Sequence, residues 1–389
     1  MARKLALLGA TGSVGKQTAE VLRLHRDRFE ISALTAHSRV TDLMELIAEF
    51  RPPVAVVGDG DQAAVVRARF PDIEVWTGPQ GVARAAATAP GGLVVNALLG
   101  AAGILPTMAA IESGADVALA NKETLVAAGE IVMAYAKARG VRIIPVDSEH
   151  SAIHQCLRGC TPGEVLRLIV TASGGPFLGK SRDEQSGMGV ADALRHPTWT
   201  MGAKITVDSA TLMNKGFEVL EAHHLFDMPL SAIDVLIHPQ SIVHSIVEFR
   251  DGAMLAQLGA PDMRIPIQYA LFTDEQRPAA EFRRLDLAAA ATLSFMAVDE
   301  GVFPALRLAY DCGMAGGTTP AVLNAANEVA AQAFLAGEIT FLQIFDTVQE
   351  VVWRHTPVAH PTIDDVLGAD AWARRLARSN VAQRGRMDC

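Results

Sequence analysis

The chain has 389 residues, of which 50% are hydrophobic and 20% charged, and its formal net charge is −9. That length is enough for two or three domains with complete cores, and the acidic balance argues against nucleic acid as the main partner. It does not exclude an anionic small substrate, because a few local cations decide such binding. The four cysteines, Cys156, Cys160, Cys312 and Cys389, lack metal or redox spacing and predict free thiols in a reducing compartment.

The start of the chain passes from Met-Ala-Arg-Lys directly into a strand pattern, so no signal or transit peptide is predicted. Residues 93–111 form an uncharged run near the length of a membrane span, but Asn96, Gly100, Gly103 and Pro106 interrupt it. We therefore expect a strand, a loop and a buried helix there, in a cytoplasmic protein without a membrane partner.

The first 147 residues alternate between short aliphatic runs and helical patterns such as 14–24, 104–113 and 123–139. The aliphatic runs end near Leu8, Thr35, Val57, Val75, Ala97, Ala120 and Val146. This alternation predicts an α/β fold that begins with a Rossmann-like, doubly wound parallel sheet. Ligands of such sheets bind beyond the carboxyl ends of the strands, where Gly9, His37, Asn121 and Asp147 are all expected.

A glycine turn, Gly9-Ala-Thr-Gly-Ser-Val-Gly15, follows the first aliphatic run and opens a helix. In that context glycines allow backbone amides to approach a pyrophosphate at the helix N-terminus, and Thr11 and Ser13 add hydroxyl donors. The second strand ends without the acidic residue that would bind the ribose of NAD. It is followed instead by Ser38 and Arg39, whose hydroxyl and guanidinium favour the 2′-phosphate of NADP. An ordinary polar loop is the alternative.

Two further strand ends carry charged residues. Lys122 lies near a predicted helix start, where a cation is electrostatically disfavoured, so we interpret it as facing the substrate. Asp147 and Glu149 are two carboxylates spaced i, i+2 after a buried strand, an arrangement that suits a hard divalent cation such as Mg²⁺ or Mn²⁺. Glu218, one turn from Asn214 and Lys215 on a predicted helix, is the leading candidate for a third ligand.

The chain from residue 148 to 272 changes character and predicts an α+β domain. A helix is expected after Asp147, and residues 165–171 and 204–207 are expected to be strands. Residues 214–224 are predicted as a helix, and residues 235–238, 245–249 and 254–258 as antiparallel strands with a turn at Asp251-Gly252.

Hydroxyl and amide donors in this region could hold a phosphate. Thr171-Ala-Ser173-Gly-Gly-Pro176 is a glycine turn after a strand, and Ser209, Asn214 and Lys215 add donors without a negative charge. Residues 179–202 form a polar, glycine-containing stretch that ends near His196 and Trp199, and we predict a mobile lid there whose histidine and tryptophan contact the substrate.

The remaining chain is predicted to be helical. Residues 273–300 suit a linker. Helices are then expected at 302–310, 320–336, 341–354 and 363–377, and the last ten residues are expected to fray. The predicted organisation is therefore a nucleotide-binding domain (1–147), a central α+β catalytic domain (148–272), a linker (273–300) and a C-terminal helical bundle (301–389).

These motifs together resemble the 1-deoxy-D-xylulose 5-phosphate reductoisomerase family. The resemblance spans the chain in order and rests on the glycine turn, Asn121-Lys122-Glu123, Asp147-Ser148-Glu149-His150, Thr171-Ala-Ser-Gly-Gly-Pro-Phe177, His196-Pro-x-Trp-x-Met-Gly202, Ser209-x-x-x-Met-Asn-Lys-Gly-x-Glu218 and His238-Pro-Gln-Ser241. It implies a homodimeric enzyme of the non-mevalonate isoprenoid pathway. Such an enzyme rearranges and reduces a small sugar phosphate with NADPH and Mg²⁺ or Mn²⁺, with Co²⁺ as a further possibility.

The resemblance also implies roles for individual residues. The implied metal ligands are Asp147, Glu149 and Glu218. Phosphate would be held by Ser173, Ser209, Asn214 and Lys215, and the sugar by Ser148, Lys122 and His196. The residues implied to lie along the cofactor are Thr11, Gly12, Ser13, Val14, Asn121, Glu123 and Gly202. The His37-Ser38-Arg39 turn departs from the family pattern, so NADP preference rests on Ser38 and Arg39 alone.

Two other functions share parts of this pattern. An aspartate-semialdehyde-type dehydrogenase has a similar glycine opening but needs a nucleophilic cysteine, and Cys156 and Cys160 lie in a helix-like segment without a suitably arranged histidine. A non-enzymatic NADP-sensing regulator would need no acidic residues for a metal. Acyl-enzyme formation would reveal the first, and an absence of metal-dependent turnover would favour the second.

Overall fold

The computed structural model describes residues 2–199 and 201–384. The chain divides into two compact units. The first unit comprises Met1–Thr124, Glu130–Ser151 and Asp262–Arg283, and the second comprises Leu125–Gly129, Ala152–Pro261 and Arg284–Cys389. The four-part division predicted from the sequence stays a prediction.

The first unit contains a seven-stranded sheet of order β4-β3-β2-β1-β5-β6-β7, in which all neighbouring strands are parallel. The strands are β1 (Arg3–Leu8), β2 (Phe29–Thr35), β3 (Val54–Val57), β4 (Glu74–Thr77), β5 (Leu93–Asn96), β6 (Asp116–Leu119) and β7 (Ile143–Pro145). The helices between them are α1 (Ser13–Leu24), α2 (Val40–Phe50), α3 (Gly60–Arg69), α4 (Gly78–Ala86), α5 (Ile104–Glu112) and α6 (Lys122–Arg139).

Continuous apolar runs explain why this sheet is buried on both faces. Residues 5–8 of β1 and all of β5 are buried, as expected where helices cover both sides of a parallel sheet. Strand order reverses at β1, which places the loops after β1 and β5 at the switch point where such folds bind ligands. The predicted fold class is confirmed here, and the alternating elements lie within a few residues of their predicted positions.

One helix of the first unit was not anticipated. Helix α12 (Arg264–Leu271) lies far along the chain, yet Ile267 and Leu271 pack into the core of the parallel sheet. Its return to the first unit could not be read from local periodicity, because the pattern shows that a helix is amphipathic but not which core receives its apolar face.

The second unit contains a five-stranded sheet of order β11-β10-β8-β9-β12. Its strands are β8 (Val165–Ala172), β9 (Ile233–Ile237), β10 (Val243–Phe249), β11 (Met254–Leu258) and β12 (Met296–Ala297). Strand β10 is antiparallel to β11, as predicted, and it is also antiparallel to β8. Strand β9 was predicted as antiparallel too, but it is antiparallel only to β12 and lies parallel to β8.

The other helices of the described residues lie mostly in the second unit. They are α7 (Ser148–Cys156), α8 (Arg182–Ser186), α9 (Val190–Ala193), α10 (Ala203–Thr211), α11 (Met213–Phe226), α13 (Leu287–Ala290), α14 (Pro304–Ala315), α15 (Thr319–Leu335), α16 (Phe341–Trp353) and α17 (Ile363–Arg384). The core includes Phe177, Phe217 and Phe334, all buried. The predicted linker contains α13 and β12, so it is not without structure.

The prediction of a strand at residues 204–207 was wrong, because these residues belong to α10. The run Ile205-Thr206-Val207 is β-branched and favours a strand locally. In the structure the Thr206 hydroxyl donates to the Gly202 carbonyl one turn back, at 2.9 Å, and Lys204 pairs with Asp208 at i, i+4. These contacts and the packing of the helix override the local preference.

The end of the chain is helical for longer than predicted, since α17 extends to Arg384. Fraying was expected for the last ten residues, which is wrong for residues 380–384 because they belong to α17. Residues 385–389, which include Cys389, and Thr200 lie outside the described residues. Cys156, Cys160 and Cys312 are free thiols, as predicted. Within residues 2–199 and 201–384, no helix combines the length and the apolar character needed to cross a membrane.

Candidate active site

The glycine turn of the first unit has the close packing that a nucleotide-binding turn requires. Gly9 has a φ of +77°, and its amide donates to the Thr35 hydroxyl at 2.9 Å. A Cβ at Gly15 would lie 2.2 Å from the Gly9 carbonyl oxygen, so only glycine fits there. Helix α1 starts at Ser13 without a side-chain cap and without an acidic residue in its first turn. Its first amides can therefore donate to an anion.

The basic turn after β2 lies against the glycine turn. The Arg39 guanidinium donates to the Thr11 carbonyl at 3.2 Å, and Ser38 and Arg39 are both exposed. The structure thus brings Arg39 and Thr11 together, as a site for a phosphorylated ribose beside a pyrophosphate requires. Val14 is partly buried, and its side chain packs against the core of the first unit.

Asn121 organises the loop after β5 through its side chain. Its amide nitrogen donates to the carbonyls of Leu98 and Gly100, at 3.1 and 3.0 Å, and to the Glu123 carboxylate at 2.9 Å. Asn121 is fully buried, and a Cβ at Gly103 would lie 2.0 Å from its side-chain oxygen. Asn121 therefore holds the loop after β5 at the switch point of the sheet.

The carboxylates at the end of β7 lie beside a lysine. Lys122 Nζ is 2.6 Å from Asp147 Oδ2, and both side chains are mostly buried, with exposures of 8% and 14%. Helix α7 begins directly after Asp147, which places Glu149 in its first turn, where a carboxylate complements the helix dipole. The Ser148 hydroxyl donates to Glu149 at 2.5 Å. The buried ring of His150 lies 3.8 Å from Asp147 Oδ2.

In the second unit, the glycine turn after β8 packs on α10. Gly174 and Gly175 both have positive φ, and a Cβ at Gly175 would lie 2.4 Å from the Ser209 carbonyl oxygen. The Gly175 amide donates to the Ser173 hydroxyl at 3.1 Å. The structure therefore brings together the Ser173 turn and Ser209, two of the predicted phosphate-binding elements.

The lid histidine is held in one tautomer. His196 Nδ1 accepts from the backbone amides of Trp199 and Thr198, at 2.9 and 3.2 Å, so the ring proton lies on Nε2. Nε2 is 3.0 Å from the Ser173 hydroxyl and can donate to it. Burial lowers the pKa of His196 to about 4, so the ring is a neutral donor at pH 7. Among the lid residues that the structure describes, α8 and α9 are short helices.

Helix α11 presents the third predicted carboxylate. The Asn214 amide donates to Glu218 Oε1 at 2.5 Å, and Lys215 Nζ forms an ion pair with Glu218 Oε2. Glu218 and Lys215 are buried, with side-chain exposures of 1% and 5%. Helices α10 and α11 meet at Leu212, whose φ is +59°. The left-handed backbone conformation of Leu212 turns the chain sharply between Ser209 on α10 and Asn214 on α11.

Two residues beside the lid had no role assigned from the sequence. The Thr198 hydroxyl is 3.4 Å from the Ser241 hydroxyl, and the rings of Trp199 and His244 have centroids 6.2 Å apart. Burial lowers the pKa of His244 to about 4, and the nearby Lys215 charge acts in the same direction. Ser241 belongs to the His238-Pro-Gln-Ser241 motif, which marked the position but gave no chemical reason to select it.

The donor chemistry fits a hard divalent cation and a phosphate. Asp147 and Glu149 offer oxygen ligands in the first unit, and Glu218 offers one in the second. Each of Asp147 and Glu218 is paired with a lysine, so each mostly buried carboxylate has a cation beside it. The glycine turn of the first unit fits a dinucleotide, because its close backbone approach leaves no space for a side chain.

Comparison with known protein families matches three segments of the chain. Residues 5–129 match the model described as 1-deoxy-D-xylulose 5-phosphate reductoisomerase. Residues 143–226 match that of the C-terminal domain of the same enzyme. Residues 258–376 match the DXP reductoisomerase C-terminal domain.

Similar proteins cover nearly the whole chain. A 1-deoxy-D-xylulose 5-phosphate reductoisomerase from Symbiobacterium thermophilum is 53% identical over 386 residues, 97% of this chain and 98% of its own. The solved Zymomonas mobilis enzyme in complex with NADPH is 39% identical, with a TM-score of 0.91 and coverage of 98% and 99%. A DOX-P reductoisomerase solved with NADPH, fosmidomycin and magnesium is 38% identical, with a TM-score of 0.91 and coverage of 98% of both chains.

Proposed function

The chain belongs to the 1-deoxy-D-xylulose 5-phosphate reductoisomerase family, and from that premise we propose which of its residues perform the reaction. The enzyme uses NADPH and a divalent metal to rearrange and reduce 1-deoxy-D-xylulose 5-phosphate to 2-C-methyl-D-erythritol 4-phosphate, a step of non-mevalonate isoprenoid synthesis. One observation carries this conclusion: the carboxyl edge of a single parallel sheet holds both a nucleotide-binding glycine turn and the Asp147–Glu149 carboxylates.

NADPH is proposed to lie along the glycine turn of the first unit. The residues that would contact it are Thr11, Gly12, Ser13, Val14, Ser38, Arg39, Asn121, Glu123 and Gly202. The support is the set of free α1 amides and the Arg39–Thr11 contact, which together suit a pyrophosphate and a 2′-phosphate. Asn121 would act by holding the loop after β5, since its side chain bonds to two carbonyls of that loop, and Glu123 would act through Asn121, from which it accepts.

The metal is proposed to be held by Asp147, Glu149 and Glu218. Carboxylate oxygens suit Mg²⁺ or Mn²⁺, and Co²⁺ is compatible with the same ligands. When bound, the cation supplies Lewis acidity toward the oxygens of the substrate. Asn214 and Lys215 already bond to Glu218, so they would orient this ligand as well as contribute to phosphate binding.

The phosphate of the substrate is proposed to be held by Ser173, Ser209, Asn214 and Lys215. The neutral His196 ring would donate its Nε2 proton to a substrate oxygen, because its Nδ1 already accepts from two backbone amides. Lys122 and Ser148 would contact the sugar. In this position the Lys122 ammonium can donate to a sugar oxygen while it remains paired with Asp147. Trp199 would cover the substrate and exclude water when the lid closes.

A homodimer in the cytoplasm is proposed as the working form. The support is the edge strand β11, where Met254 and Leu255 are 52% and 49% exposed. An exposed apolar edge strand is an aggregation hazard unless another copy covers it. Leu255→Lys should therefore convert a dimer into monomers in sedimentation analysis. A wild-type monomer, or a variant that remains dimeric, would contradict this arrangement.

The cysteine chemistry does not favour an aspartate-semialdehyde-type dehydrogenase. Burial raises the pKa of Cys156 to about 11 and that of Cys312 to about 12, so neither is a good nucleophile at neutral pH. Cys160 lies in the turn after α7, not in the helix, and its thiol donates to the Cys156 carbonyl at 3.5 Å. These are properties of structural thiols.

The proposed function can be tested by one assay. NADPH oxidation is followed with 1-deoxy-D-xylulose 5-phosphate, with and without Mn²⁺, and the product is identified by NMR. Metal-dependent formation of the methylerythritol phosphate is expected. NADPH binding without any turnover would instead indicate a regulator, and turnover that survives chelation would contradict the roles of the three carboxylates.

A further inference from the structure

A buried carboxylate lies next to Ser209 on α10, and neither the proposed metal site nor the proposed phosphate site uses it. Asp208 is 2% exposed. Its Oδ2 is 2.8 Å from Lys204 Nζ, one turn earlier on the same helix. Its Oδ1 accepts from the side-chain amide of Asn327 at 2.8 Å. Asn327 is itself 1% exposed and belongs to α15, a helix of the C-terminal region.

Such a carboxylate is costly to bury unless its partners stay in place. Breaking a buried charged pair by removing one partner leaves an uncompensated charge, which is strongly destabilising. The Asn327 amide and the Lys204 ammonium therefore constrain where the side chain of Asp208 can lie. Lys204 and Asp208 are both on α10, whereas the bond to Asn327 ties the Asp208 carboxylate to a separate helix, α15.

The position of α10 in turn fixes two hydroxyls. Ser209 follows Asp208 directly, and its carbonyl packs so closely on Gly175 that a Cβ there would lie 2.4 Å away. The Gly175 amide donates to the Ser173 hydroxyl. A shift or rotation of α10 would therefore displace Ser209 and disturb the turn that holds Ser173.

We infer that Asn327, acting through Asp208, is a positioning residue that sets α10 so that Ser209 and Ser173 can bind the substrate phosphate. This inference rests on the phosphate role of the two serines proposed above. It gives the C-terminal helix α15 a part in substrate binding, although Asn327 itself does not touch the substrate. Misplacement of binding groups by about 1 Å can cost up to roughly a hundredfold, so loss of one anchoring bond should be measurable.

The principal variant is Asn327→Leu, which keeps the volume of the side chain and removes its donor. We expect KM for the sugar phosphate and Kd for inorganic phosphate each to rise about tenfold, with kcat within about threefold of wild type. KM for NADPH should remain within about twofold, since of the proposed cofactor contacts only Gly202, at the start of α10, belongs to the second unit. An equal rise for NADPH, or unchanged phosphate binding in the folded variant, would overturn the inference.

The chain offers a matched control on the same helix. Asn324 is fully buried on α15, and in the described part of the chain its side-chain amide has no hydrogen-bond partner. Asn324→Leu should change the melting temperature but leave phosphate Kd within about twofold of wild type. If Asn324→Leu weakens phosphate as much as Asn327→Leu does, the effect is general core damage and the inference fails.

A swapped pair tests the bond itself. Asn327→Asp alone places two carboxylates together and should weaken phosphate binding even if Asn327→Leu does not fold. The double variant Asp208→Asn/Asn327→Asp restores one amide and one carboxylate, and it should recover phosphate Kd to within about threefold of wild type. Failure of the swap to improve on Asn327→Asp would contradict a role for this hydrogen bond.

Inorganic phosphate titrated by ³¹P NMR separates this inference from the proposed function, because binding needs no turnover. If the wild-type protein has no reductoisomerase activity but its phosphate affinity still depends on Asn327, only the proposed function is contradicted. If turnover is normal and the phosphate affinity does not depend on Asn327, only the inference is contradicted. If the wild-type protein binds no phosphate, the inference fails because the two serines do not form a phosphate site.

Discussion

The two units of this enzyme present their chemistry in different ways. In the first unit, the candidate groups follow strand ends of one parallel sheet, and glycines allow close approach of the backbone. In the second unit, the candidate groups are side chains, among them His196 after α9 and Glu218 on α11. Backbone sites are defined by the fold as a whole, whereas side-chain sites depend on how individual helices are held.

The lysine–carboxylate pairs show the same contrast. Lys122 and Asp147 are 25 positions apart and meet only because β6 and β7 are neighbours in the sheet. Lys215 and Glu218 are three positions apart and meet within one turn of α11. Glu218 is also the more buried carboxylate, at 1% exposure against 14% for Asp147. The Lys122–Asp147 pair therefore depends on the tertiary arrangement of the strands, whereas the Lys215–Glu218 pair depends only on the local geometry of one helix.

The largest effect should come from the acidic residues, which test whether both units contribute equally to the metal. Asp147→Asn, Glu149→Gln and Glu218→Gln each remove one of the carboxylates proposed as metal ligands. We expect turnover to fall at least ~100-fold in each variant. NADPH fluorescence titrations should show almost unchanged binding, because the cofactor turn is built from other residues.

Asp234→Asn is the matched control for these variants. Asp234 is an exposed carboxylate on β9 that pairs with Arg167, so its loss should leave turnover near wild type. Near-normal turnover in all three acidic variants would exclude them as the metal ligands. A large loss in the first-unit variants only would restrict metal binding to Asp147 and Glu149.

Arg39 tests whether the first unit alone selects the nucleotide. Arg39→Ala removes a guanidinium that lies against the glycine turn. If this guanidinium contacts the 2′-phosphate, the affinity for NADPH should fall about ten- to a hundredfold, since a charge-assisted hydrogen bond contributes roughly 1.5–3 kcal/mol. The affinity for NADH should fall much less. Equal losses of affinity for both cofactors would assign Arg39 a structural role instead.

Much of the first unit could be predicted from the sequence, because its signals are local. Continuous aliphatic runs such as residues 5–8 indicate a buried parallel strand, and the glycine turn has a required context that the sequence supplies. The return of α12 to the first unit could not be predicted. It depends on packing between α12 and α1, which are more than 200 residues apart in the sequence.

The second unit was predicted less well for physical reasons. The β-branched run of α10 favours a strand locally, and only the bonds of Thr206 and Lys204 and the surrounding packing explain the helix. The position of β9 beside β8 is a question of long-range pairing that alternation cannot answer. The Asp208–Asn327 bond joins residues 119 positions apart, so no sequence spacing could reveal it.

His196 tests whether the second unit alone holds the sugar phosphate. His196→Ala removes the Nε2 donor and the acceptor for two lid amides, so KM should rise and kcat should fall together, each about tenfold. Hydrogen exchange across residues 179–202 should be fast in the free enzyme and slow with substrate analogue and metal, and Trp199 fluorescence should change. Slow exchange unaffected by ligand would identify this segment as a fixed loop.

The smallest expected effect concerns the acid stability of the second unit, tested through His224. Its ring packs on Gly129, where a Cβ would lie 2.2 Å away, and burial lowers its pKa from 6.5 to about 4, with the charge of His223 as a further cause. A histidine whose pKa is lower in the folded protein is protonated more readily in the unfolded chain. Lowering the pH from 6.5 toward 4 therefore stabilises the unfolded chain, and the folded protein loses the stability that it has above pH 6.5.

The change in unfolding free energy between pH 7 and pH 5 should therefore be about 1–2 kcal/mol larger in wild type than in His224→Gln, as measured by urea denaturation. The comparison uses the slope with pH, because the substitution also alters packing at every pH. His360→Gln, at an exposed histidine, should leave the slope unchanged. If His224→Gln keeps the wild-type slope, the acid sensitivity of the second unit comes from other groups, with His244 and its depressed pKa as the next to examine.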